Sequence, residues 1–175
     1  MSAFSARHIW TYRAVFLGLC LLIITLKLLP LNLAAPGLPG PDLLVLLAFA
    51  WMVRQPALVP IGMLLVVFLL ADFLFMRPPG LWTALLLVAA EALRRRRLTM
   101  AELPFLVEWG TVAALIMGMV LLNRLILWML LVDLNSLGLT LAHGIVTIAL
   151  YPVVVAVSKF VFRVRKLGPT ELEAL

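Results

Sequence analysis

The sequence predicts an all-α polytopic membrane protein with six transmembrane helices and both termini on the cytoplasmic side. Three observations carry that expectation. Of 175 residues, 65% are hydrophobic and 13% charged, and the mean hydropathy of +1.18 exceeds what a water-soluble core requires. The apolar residues fall into successive runs joined by short connections, so no room is left for an extramembrane catalytic module. The basic residues gather at alternate ends of those runs.

The first segment covers 14–31, after a basic stretch 1–13 holding Arg7 and Arg13. A signal peptide is excluded as its reading, because the run is too long for an h-region and further membrane segments follow. Lys27 and Pro30 near its far end suit a snorkelling cation and a helix stop. The turn APGLPGP at 35–41 cannot sustain a helix, and Asp42 stands where an N-cap belongs.

The second segment, 42–53, spans about 18 Å as a helix against a hydrocarbon core of roughly 30 Å. Either it extends into its flanks, or it is a half-helix shielded by its neighbours. The third, 57–76, carries Asp72 and closes at Arg77-Pro78-Pro79-Gly80. The fourth, 81–93, is again short and runs into Glu91 and the cluster Arg94, Arg95, Arg96 and Arg97. The fifth is placed at 103–122, with Asn123-Arg124 interrupting the apolar run and 125–131 lying at the surface. The sixth, 139–158, leads into a basic tail, 159–175, with Lys159, Arg163, Arg165 and Lys166.

Orientation follows from counting. With the N-terminus inside, eleven Lys and Arg residues lie on the cytoplasmic side and two, Lys27 and Arg77, on the other, Arg124 being ambiguous. Such asymmetry supports an even number of crossings. The five tryptophans, Trp10, Trp51, Trp82, Trp109 and Trp128, all fall near segment ends, as interfacial indoles should. The net charge of +6 is therefore read as helix-end charge facing anionic lipid, not as a nucleic-acid surface. Arg94, Arg95, Arg96, Arg97, Arg163, Arg165 and Lys166 form that lipid-facing set. Cys20 stands alone, so no internal disulfide is available.

Ionisable groups inside a membrane face protein or a cavity. Asp72 either pairs with Arg77, caps a neighbouring backbone, or fixes a packing or partner contact. Glu108 is expected to meet Arg94 to Arg97. Gly110, Ala114 and Gly118 repeat every four residues, a small ridge for close helix approach within the chain or by a partner. Thr140, His143, Thr147 and Tyr151 form one polar stripe that must avoid lipid. His8 and His143 have no ligand companions at metal spacing, and no nucleophile elbow or phosphate loop occurs, so neither cofactor, metal nor enzymatic activity is expected. Transport is a rival reading, since short segments and intramembrane carboxylates also build solute sites.

Pro41-Asp42-Leu43-Leu44 after a short loop, LLADFLF before Gly80-Leu81, and Leu150-Tyr151-Pro152 ahead of a basic tail occur in an order and spacing that resemble the MreD family of rod-shape-determining inner-membrane proteins. The match runs over most of the chain, with Pro41, Asp42, Asp72 and Gly80 the matching positions. The resemblance implies a bacterial inner-membrane scaffold of the elongation complex. It would bind MreC directly and, through it, belong with MreB, RodA and a class B penicillin-binding transpeptidase. It also implies similarity in fold to the substrate-binding subunits of energy-coupling-factor transporters, which gives the rival reading its form: a small-solute binding membrane subunit.

Overall fold

A computed structural model describes residues 6–29, 40–96, 99, 103–132 and 136–162. Among the described residues the fold is entirely helical. The long helices are α1 (Ala6–Leu28), α2 (Leu43–Arg54), α3 (Ile61–Leu74), α4 (Leu81–Arg95), α5 (Phe105–Met129) and α6 (Leu137–Phe160), with a 3₁₀ turn at Pro56–Leu58. Three stretches, Ile9–Leu28, Phe105–Met129 and Leu137–Phe160, are long and apolar enough to cross a membrane; Leu43–Arg54 and Ile61–Leu74 are shorter apolar helices. The connection at 35–39, Arg97, Arg163, Arg165, Lys166 and the tail from residue 163 lie outside the described residues.

The outer helices follow one another as α1, α3, α4, α5 and α6, in an arc around α2, which packs on α1, α4 and α6. Every residue of α2 from Leu44 to Arg54 is buried. The second segment is thus shielded by its neighbours along its whole length. Its physical reason is length: twelve residues make about 18 Å of helix, too little to span a hydrocarbon core alone, so protein must surround it.

Trp51 is the centre of this packing. It is fully buried, with ring centroids 5.4 Å from Phe16, 6.1 Å from Phe162 and 6.3 Å from Tyr12, and its Nε1–H donates to Ser158 Oγ at 3.3 Å. The expectation of an interfacial indole fails here, because a helix buried on all faces has no lipid-facing side. Trp10 and Trp128 remain largely exposed.

Three boundaries also differ from expectation. α1 begins eight residues before Ala14. α3 starts only at Ile61, since Pro56 and Pro60 shape the turn before it. α5 does not end near Leu122 but runs unbroken to Met129. Asn123 and Arg124 are tolerated inside it because Arg124 reaches α6, donating from Nη1 to Thr140 Oγ1 at 2.7 Å.

α6 contains Pro152, which has no N–H to give the carbonyl of Ile148 one turn earlier. Trp109 of α5 supplies the missing donor, its Nε1–H lying 3.0 Å from Ile148 O. The defect in one helix thereby becomes a specific contact with the next. Trp109→Phe should cost about 1–3 kcal/mol by orphaning that carbonyl. The check is thermal unfolding in detergent micelles, where an unchanged midpoint would contradict the assignment.

Candidate functional site

Helix α2 ends in a charge at each terminus, and each charge is met by other helices. At the N-terminal end Asp42 does not cap its own helix through its side chain. Its carboxylate faces Arg77 Nη1 at 3.5 Å and Lys27 Nζ at 4.0 Å, while its backbone N–H donates to Thr147 Oγ1 at 3.1 Å. The negative group still sits where the positive end of the helix dipole favours it. Both cations also lie against aromatic faces, Lys27 4.9 Å from the Phe75 centroid and Arg77 5.4 and 5.5 Å from Phe75 and Trp82. His143 donates its Nδ1–H to Gly40 O at 2.8 Å, since a carbonyl can only accept. Pro41, half-buried beside Asp42, continues this entry into the helix.

Asp72, 1% exposed, takes the second of its three predicted roles. Its Oδ2 accepts from Gly80 N at 3.1 Å, Thr83 N at 3.2 Å and Thr83 Oγ1 at 2.7 Å, so a carboxylate from α3 caps α4. Arg77 pairs with Asp42 instead. The corner between the helices is tight: Arg77 N–H donates back to Asp72 O at 3.0 Å, and Gly80 turns with φ +86°, where a glycine avoids the clash of a Cβ with its own backbone.

At the other end of α2, Arg54 Nη1 lies 3.1 Å from Glu108 Oε1 and 3.0 Å from its own helix's Ala50 O. Tyr151 OH donates to the same Glu108 oxygen at 2.9 Å, and the Tyr151 ring stacks on Phe105. Arg54, Glu108 and Tyr151 are all buried. Of the arginines expected near Glu108, Arg94, Arg95 and Arg96 are exposed, Arg95 pairs with Glu91 at 2.9 Å, and Arg97 lies outside the described residues.

The polar stripe of α6 meets protein along its length: Thr140 meets Arg124, His143 meets Gly40, Thr147 meets Asp42, and Tyr151 meets Glu108. The small-residue ridge behaves differently. Gly110 and Ala114 are exposed and Gly118 partly so, and a Cβ placed at Gly110 or Gly118 would have no neighbour within 4 Å. Among the described residues, no side chain or backbone of another helix closes on the ridge at its two glycines.

Beside the Asp42 cluster, α4, α5 and α6 flank a half-open cavity of about 210 Å³ whose lining includes Arg77, Trp82, Asn123, Leu127, Thr140 and His143. Among the described residues no group of three or more His, Cys, Asp or Glu side chains is arranged to hold a metal. Sequence reasoning overlooked Arg54, Thr83 and Asn123. Arg54 had a usable signal, since a cation ending a twelve-residue apolar run cannot reach far toward the headgroups.

Removing one member of the Arg54–Glu108 pair strands the other, so Glu108→Leu should cost about 3–5 kcal/mol. The double variant Arg54→Leu/Glu108→Leu should be less damaging than Glu108→Leu alone. A double-mutant cycle on unfolding midpoints checks this, and simple additivity would contradict it. In comparisons with known families, curated proteins and solved structures, the chain matches none.

Proposed function

We propose that this chain is a non-enzymatic membrane scaffold of the bacterial elongation complex, with the role of the MreD family. It binds MreC and links cytoplasmic MreB to the RodA–transpeptidase pair that builds peptidoglycan, so maintaining rod shape. Two lines support this reading: the ordered sequence elements around Asp42, Asp72, Gly80 and Tyr151, and the use to which the buried charges are put. The observation that carries it is that Asp42, Asp72 and Glu108 each bond a different helix from their own or its entry turn. Carboxylates spent on holding helices together make a rigid body, which is what a docking scaffold requires.

In this reading the chain crosses the inner membrane six times with both termini in the cytoplasm. Contacts of Arg13 with Ala57, Arg54 with Glu108 and Trp51 with Ser158 gather one end of the bundle. Lys27, Asp42, Arg77, Arg124 and Thr140 gather the other. The exposed arginines Arg94, Arg95 and Arg96 fall at the first end, the side on which anionic lipid and the positive-inside rule favour them. The short helices α2 and α4 cross only as parts of the bundle.

Depletion in a rod-shaped host should round the cells and release MreC from the complex; unchanged shape with intact co-purification would contradict the proposal. In the same pull-down, Asp72→Leu should lower MreC recovery more than Arg165→Ala, because the first uncaps α4 and the second leaves neighbouring charges at the lipid surface. Equal losses would count against it. The second reading, a solute-binding transporter subunit, is favoured by the cavity beside Arg77. It predicts a small molecule retained through gentle purification and seen by native mass spectrometry.

A further inference from the structure

The cavity between α4, α5 and α6 is not explained by helix packing, and its walls are chemically lopsided. Arg77 gives one edge of its guanidinium to Asp42, and its remaining N–H groups have no acceptor among the described residues. The Asn123 amide likewise has no partner there, and Trp82 Nε1–H is buried without one. His143 spends Nδ1–H on Gly40, which leaves Nε2 as an acceptor. Leu127 and the Trp82 ring supply an apolar flank.

The charges are unequal too. Lys27 and Arg77 face one carboxylate, Asp42, and Thr140 of the lining is held by Arg124. Asp72, the other carboxylate at this end, is engaged with the N–H groups of α4. Around the Asp42 carboxylate two cations therefore meet one anion.

We propose that this cavity binds an organic phosphate bearing a hydroxyl and a short apolar stem. Arg77 and Asn123 would donate to the phosphate oxygens, the first in the forked geometry that suits an oxyanion. His143 Nε2 would accept from the hydroxyl, and the stem would lie along Trp82 and Leu127. A bare phosphate would leave much of the 210 Å³ unfilled. The site rests on neither functional reading, since a scaffold and a transporter subunit can both carry it.

The chemistry is shared by a phospholipid headgroup and a free phosphate ester, and the test separates them. Full-length protein in maltoside micelles is titrated with dihexanoylphosphatidylglycerol, with glycerol 3-phosphate and with dihexanoylphosphatidylcholine, and the unfolding midpoint is followed. Saturable stabilisation by the first alone assigns a lipid headgroup; stabilisation by the first two assigns a free ester as well. Asn123→Leu removes a donor that has no hydrogen-bond partner among the described residues, so it should leave the unliganded midpoint nearly unchanged and weaken the apparent affinity about tenfold, the worth of one hydrogen bond to a charged group. Arg77→Lys, which keeps a cation opposite Asp42, should weaken it similarly. Equal stabilisation by the phosphocholine lipid, none by any titrant, or an affinity unmoved by Asn123→Leu would overturn the proposal.

Discussion

The burial of α2 sets the terms for the rest of the structure. A helix of twelve residues can neither cross a bilayer alone nor leave its end groups in hydrocarbon, where an unmet polar group costs several kcal/mol. The chain resolves this by surrounding it and by charging its ends with the signs its dipole prefers, Asp42 first and Arg54 last. Those charges then demand partners, which come from α1, from the α3–α4 turn and from α5. Since lipid and protein are equally apolar, such polar contacts and close packing, not the hydrophobic effect, select one arrangement of helices.

The same economy of polar groups recurs elsewhere. Asp72 caps a helix that lacks its own capping side chain, and Trp109 repairs the backbone defect made by Pro152. Each contact joins two helices, so a local deficiency in one element specifies the position of another. The Gly110–Ala114–Gly118 ridge and the cavity beside Arg77 stand apart from this pattern, being neither filled nor bridged by the described residues.

Much of this was legible in the sequence. Hydropathy and segment lengths gave an all-helical chain, and the shortness of 42–53 exposed its need for shielding. The spacing of Thr140, His143, Thr147 and Tyr151 by three, four and four residues located the face of α6 that meets protein, because helical periodicity is local information. Partner choice was not legible. Glu108 meets Arg54, 54 residues away on another helix, a pairing that no local pattern in the sequence announces. Trp51 near a segment end looks interfacial until the segment proves buried on every side. Asn123-Arg124 read as an interruption because its partner Thr140 lies on another helix.

The central claim is that α2, the shortest of the six long helices described, is also the most firmly held, and that its end charges hold it. Hydrogen–deuterium exchange of the protein in detergent micelles, read by mass spectrometry, tests this directly. The account predicts that amides of residues 43–54 exchange more slowly than those of α4, and that Glu108→Leu accelerates exchange in 43–54 before it does so in α1. Rapid exchange of 43–54 in the unaltered protein, or an indifferent response to Glu108→Leu, would contradict it.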